Sequence, residues 1–252
     1  MDYFVDAPIY GQGHSGQVVD EVAHLRNLVL HNRPTVACES GFNAGHSAAI
    51  WLEAPSTVKR LHSFDMGVEP YSDSSQAFIH ALYPGKMVYH RGDSMKSLPK
   101  HSARVQSGME APCDIWYIDG GHTGKVPFSD LEHAWLSSHD GTIIVADDCT
   151  SRFQDVRTAW RSLVYKYGKI KPFNGASKDG PTDGSSGHKH QLRPPPGQPE
   201  NVNHGQRYWR PYVNVVGIKG WCSGTIVMPA DVERATKDSR AADKESRAAK
   251  SG

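Results

Sequence analysis

An α/β fold, with a mostly parallel sheet and helices on both faces, is what this 252-residue sequence predicts. Three observations carry that expectation. Short apolar runs alternate with segments of helical apolar spacing, giving five strand–helix units between residues 35 and 167. Four of the runs end directly in an acid: Glu39, Asp65, Asp119 and the Asp147–Asp148 pair. The weaker third run has Asp93 two residues on. In a doubly wound sheet ligands sit at the carboxyl ends of the strands, so these acids gather on one working edge. Finally, the first run opens into a glycine-punctuated turn and then a helix, a junction suited to a ligand.

In chain order, residues 1–16 are polar and read as an N-terminal arm, ahead of a main domain over 17–230. Gln17 to His31 carries Val18, Val19, Val22, Leu25, Leu28 and Val29 at helical spacing. Pro34 interrupts, and Thr35–Glu39 forms the first strand. The turn Ser40 to Ser47 leads into a helical Ala48–Glu53. Val58–Asp65 is a second strand, and Ser72–Leu82 a helix stopped by Pro84-Gly85. Lys86–Arg91 is a third strand, followed by Gly92-Asp93-Ser94, in which Asp93 or Ser94 suits a helix cap. Cys113–Asp119 is a buried strand opening into Gly120-Gly121-His122, with a helix over Pro127–Ser137. Gly141–Asp148 is the fifth strand and Phe153–Tyr167 its helix.

Residues 171–210 change character. Asn174-Gly175, Asp179-Gly180-Pro181 and Pro194-Pro195-Pro196 mark a turn-rich insertion, read as a lid or loop. Tyr212–Ile218 and Trp221–Met228, joined by Lys219-Gly220, read as a terminal hairpin. Residues 231–252 are charged and Ala-rich and read as a disordered tail.

Composition narrows the function classes. There are 28 basic and 27 acidic residues, a net charge of +1, so no global field favours nucleic acid or a membrane. Nucleic acid stays open only through a local patch. No run is apolar and long enough to span a bilayer. The four cysteines, Cys38, Cys113, Cys149 and Cys222, are widely spaced without a CxxC pair. They are expected to be small buried hydrophobes in a reducing compartment, and with no signal peptide recognised either the cytoplasm is the default location.

The loop after the first strand selects the ligand. A dinucleotide loop needs glycines at its first, third and sixth positions, but Asn43 and His46 occupy the last two. A Walker loop needs Gly-Lys-Ser/Thr, but Gly45-His46-Ser47 arrives one residue early without a lysine. What remains, Glu39-x-Gly41-x-x-x-Gly45-x-Ser47, resembles the first motif of class I S-adenosylmethionine (SAM)-dependent methyltransferases. The plain alternative is an ordinary strand-to-helix turn. The resemblance implies a seven-stranded, Rossmann-like methyltransferase sheet whose last strand runs antiparallel. It also implies that Glu39, Ser40, Gly41, Phe42, Asn43, Gly45 and Ser47 surround the methionine part of SAM. Asp65 and Met66 would take the ribose side, and Gly92, Asp93 and Ser94 the adenine, with Asp119 completing the cofactor set. Asp65 suits the ribose on its own chemistry, because two carboxylate oxygens can pair with two adjacent hydroxyls.

Asp119, Asp147 and Asp148 come from neighbouring strand ends. Carboxylates so gathered repel unless a proton or a cation joins them, and oxygen ligands suit Mg²⁺ or another divalent cation. The arrangement resembles the metal site of catechol-type and macrolide-sugar O-methyltransferases. His122, three residues past Asp119, stands where the catechol enzymes carry a general-base lysine. The resemblance therefore implies a small hydroxylated acceptor, Asp119 and His122 as catalytic residues, and Asp119, Asp147 and Asp148 as metal ligands. A homodimer is compatible with it. Two other readings remain open from sequence: a metal-independent methyltransferase for nitrogen or for RNA or protein, and a non-catalytic SAM-fold binding protein.

Overall fold

β4 (Cys113–Ile118) lies at the middle of a seven-stranded sheet, and beyond Asp114 near its start it is apolar because both of its faces are covered. The computed structural model describes residues 19–53, 55–173 and 221–229. The expected arm, the insertion beyond residue 173, the strand over 212–218 and the tail lie outside these residues. Around β4 the order is β3-β2-β1-β4-β5-β7-β6. Its strands are β1 (Val36–Ser40), β2 (Arg60–Asp65), β3 (Met87–Arg91), β5 (Ser138–Ala146), β6 (Ile170–Pro172) and β7 (Cys222–Ile226). β1 to β5 pair in parallel, whereas β7 runs antiparallel to both β5 and β6. This is the Rossmann-like methyltransferase arrangement that the sequence predicts.

Alternation along the strands sorts the core into two layers. Ala37, Ile115, Tyr117, Ile143 and Val145 face one way, onto Leu25 of α1 (Val19–Asn32), Trp51 of α2 (His46–Leu52) and Ile79 of α3 (Ser72–Leu82). Cys38, Trp116 and Ile144 face the other way. There they meet Leu98 of α4 (Ser94–Gln106), Leu131 of α5 (Val126–Leu136) and Trp160 of α6 (Gln154–Arg161).

Two expectations change. The helix expected over Phe153–Tyr167 ends as an α-helix at Arg161 and continues as a π turn over Ser162–Lys166. The Trp221–Met228 strand pairs with β5 and with Ile170–Pro172 among the described residues, and the hairpin partner expected at 212–218 lies outside them. The β6–β7 pairing joins residues on either side of the insertion. The cysteines are not free hydrophobes. Cys38 is bridged to Cys113 and Cys149 to Cys222, with Cα–Cα distances of 6.0 and 5.6 Å. Residues distant in sequence meet because β1 adjoins β4, and β5 adjoins β7. The bridges remove one ground for the cytoplasmic default, the expectation of free cysteines in a reducing compartment. Among the described residues no helix is long and apolar enough to cross a membrane.

Candidate active site

The loop between β1 and α2 closes against the end of β4. Gly41 adopts φ +96°, and a Cβ there would stand 2.1 Å from the Asp119 carbonyl oxygen. The Asp119 amide donates to the Ser40 carbonyl at 2.8 Å, so the two strand ends are clasped together. Gly120 is equally constrained, since its Cβ would stand 2.4 Å from Ser40 Oγ. That hydroxyl donates to Asp130 Oδ2 at 2.6 Å in a fully buried bond. An open hollow results, lined by Gly41, Phe42, Asn43, Ala44, His46, Ser47 and Asp119.

Two expected cofactor acids hold this loop from below. Glu39 is completely buried. Its carboxylate accepts from Ser63 Oγ at 2.7 Å and Trp51 Nε1 at 3.0 Å, pinning α2 to the sheet. Burial pushes its pKa up to about 7, although the Ser63, Ser47 and Trp51 donors oppose the rise. Asp65 Oδ2 accepts the Phe42 and Asn43 amides, both at 2.9 Å, and Oδ1 accepts the Gly67 amide at 2.6 Å. Asp65 thus shapes the loop directly, a role that its spacing from Glu39 does not reveal. Tyr71 adds a bond from its hydroxyl to Asn43 Oδ1 at 2.7 Å. Met66, by contrast, stands 59% exposed beside Asp65. Gly92 follows β3 with its amide on the Asp65 carbonyl. Asp93 caps α4 by accepting the Met95 amide at 3.0 Å, and the Ser94 side chain is turned toward Asp130.

The acids beyond β4 and β5 assemble differently from the expected triad. Asp119, His122 and Asp148 each offer a ligand atom, all within 4.8 Å of one another. His122 Nε2 is 3.3 Å from Asp119 Oδ1 and 3.7 Å from Asp148 Oδ2. Asp147 is fully buried and outside this group. The reason is backbone geometry: β5 ends at Ala146, Asp147 continues its inward alternation, and Asp148 takes φ 52°. That left-handed residue turns its side chain back to the edge, a strained conformation of the kind held at functional sites. Burial lowers the His122 pKa. The hydrogen bond to Asp119 and the charges of Asp119, Asp148 and Asp147 outweigh it, so the net shift is upward. Phe153 packs its ring against His122, with centroids 4.8 Å apart.

Sequence reasoning missed three participants. Asp130 is an acid on the fully buried face of α5, which was a visible signal. Phe153 and Tyr71 carry no local mark, since only the fold brings them to the edge.

Residues 38–149 match a family model described as a methyltransferase domain. No curated protein sequence matches the chain. Solved structures resemble it. One is CalS11, a TDP-rhamnose 3'-O-methyltransferase of calicheamicin biosynthesis, 15% identical, covering 69% of this chain and 81% of that one at TM-score 0.51. Another is cofactor-bound Rv0187 from MTB, 14% identical, covering 70% and 80% at TM-score 0.50. A third is an O-methyltransferase from Bacillus cereus in complex with SAH, 19% identical, covering 68% and 87% at TM-score 0.49. At these identities the likeness is one of fold.

Proposed function

We propose that this chain is a SAM-dependent methyltransferase that transfers a methyl group to a hydroxyl of a small molecule, assisted by a divalent cation. The observation that carries the reading is the double position of Asp119. It lines the hollow beside the Gly41–Ser47 loop and also belongs to the Asp119–His122–Asp148 group. A cofactor site and an acid–base group therefore share one wall. The match of residues 38–149 to a methyltransferase domain supports the same reading.

SAM, when bound, supplies a methyl on a positively charged sulfur, an already activated leaving group. The chain's own task is to seat an acceptor oxygen in line and take its proton. His122 accepts that proton at the ring nitrogen not bonded to Asp119. Asp119 and Asp148 fix the ring and stabilise the imidazolium, and Phe153 holds its plane. Glu39 and Asp65 act as positioning residues for the loop, and exposed Met66 offers an apolar surface to the adenine side. Asp119 and Asp148 would hold the cation, which would lower the pKa of a bound hydroxyl and orient it. Two carboxylates suit a hard ion such as Mg²⁺ or Mn²⁺.

One observation favours a second reading. His122 already bridges both carboxylates, so the group is electrostatically satisfied as a metal-independent acid–base site. Calorimetry with SAM and with its demethylated product separates the readings, first with chelator and then with Mg²⁺ or Mn²⁺ plus a generic catechol. Cofactor binding together with metal-dependent catechol binding is the expected result. Cofactor binding indifferent to metal selects the metal-independent reading. Cofactor binding without turnover over a broad acceptor panel points to a binding protein, and no cofactor binding removes the methyltransferase proposal.

A further inference from the structure

Away from the catalytic edge, three histidines converge between the sheet and α4. His62 on β2 and His101 on α4 are buried, and His90 on β3 is half-buried. His62 Nδ1 lies 3.0 Å from His90 Nε2. Each of the three rings offers a nitrogen, all within 4.8 Å of one another. Two nitrogens on a tetrahedral ion, with bonds of about 2.0–2.1 Å, stand roughly 3.3 Å apart, so the His62–His90 pair is near ligating separation. Burial, the largest cause at each ring, holds all three below the ordinary imidazole range. They are therefore neutral, the form that donates a lone pair to a metal.

The surroundings are those of a ligating group. On the far side of His62, Nε2 lies 4.0 Å from the Glu110 carboxylate. A carboxylate behind a ligating imidazole fixes its tautomer and ring orientation. Phe64 stacks on His90 with centroids 4.3 Å apart and an interplanar angle of 8°. Arg60 and Arg104 are the cations acting on His62, and Arg104 is paired with Glu110 at 3.0 Å. Cys38 and Cys113 also approach His101, but joined to each other they have no thiolate to offer.

We propose that His62, His90 and His101 form a second metal site, backed by Glu110, for a borderline divalent ion of the Zn²⁺ type that ties β2, β3 and α4 together. An all-imidazole set selects Zn²⁺ and its neighbours over Mg²⁺. The site is independent of the methyltransferase reading.

The test strips the full-length chain with chelator and titrates it with Zn²⁺, and with Co²⁺ for its visible spectrum. Asp148→Asn, which disables the acidic group, should still bind an ion, and zinc X-ray absorption should show imidazole ligation. His90→Ala, on the edge strand, should lose that ion together with the Zn²⁺-dependent rise in Tm. Glu110→Gln should weaken binding by about ten- to a hundred-fold. The proposal is overturned if no ion binds, if Asp148→Asn abolishes binding while His90→Ala keeps it, or if the absorption spectrum lacks imidazole. Should His90→Ala fail to fold, the Asp148→Asn spectrum decides: ligation by three imidazoles supports the site, and one imidazole or none overturns it.

Discussion

Gly41 is where a single methyl group matters most. A Cβ would strike the Asp119 carbonyl at 2.1 Å, and φ +96° is strained for any other residue. Gly41→Ala should cost roughly 1–3 kcal/mol in denaturant unfolding and weaken SAM binding by calorimetry, because the loop and the β4 end must part. His122→Ala should lower kcat by about 10²–10⁴ while leaving SAM affinity unchanged, since the ring borders the acceptor rather than the cofactor loop. Equal loss of both would instead mark His122 as structural. Glu39 makes a pH-dependent prediction. Its pKa is raised to about 7 in the fold from an ordinary 4.5. The stability it contributes as a neutral acid is complete below the ordinary value and lost as pH rises through about 7. Glu39→Gln cannot ionise, so its unfolding free energy relative to wild type should improve from roughly pH 5 to pH 8. A pH-independent difference would mean that Glu39 stays ionised in the fold.

At the scale of elements, Asp114 joins the foot of β4 to the entry of β1. It accepts from the Thr35 amide and hydroxyl, the Val36 amide and His139 at 2.7 to 3.0 Å. Burial raises its pKa, but the His139, Val36 and Thr35 bonds overcome this and hold it well below the ordinary carboxylate range. With a depressed folded pKa, its contribution is present above the unfolded value near 4 and lost as pH falls through the lower folded one. Asp114→Asn should cost roughly 1–3 kcal/mol at pH 7, with the penalty shrinking below about pH 4. Denaturant melts at the two pH values measure it. Periodicity placed β1 to β5 and α3 closely, because each buries a regular face. It said little about α4, which contains Pro99 and carries a mainly polar face, or about β6, which is only three residues long.

Over the whole molecule, the two bridges cross-link positions 75 and 73 residues apart in sequence. Reduction should cost roughly 2–4 kcal/mol per bridge, and the denatured, unreduced protein should titrate no free thiol. Thermal melts with and without reductant check the first, and a thiol assay the second. The Cys149–Cys222 bridge has the larger structural consequence. It fastens β7, which returns after the insertion, to the segment following β5.

The sequence by itself determined the fold class, the order of the central elements and the edge on which the acids gather. Those follow from apolar periodicity and from strand-end residues, both local properties of the chain. It also singled out Asp119, His122, Asp147 and Asp148, which lie just beyond the fourth and fifth strands. Only the tertiary structure decided how the members divide. Asp147 turns inward while Asp148 turns to the edge, because one residue adopts a left-handed backbone. It also decided that Asp65 spends its oxygens on loop amides, that the cysteines pair, and that three histidines from β2, β3 and α4 meet. Such contacts depend on which strands and helices become neighbours, and a linear pattern of residue types carries no record of that.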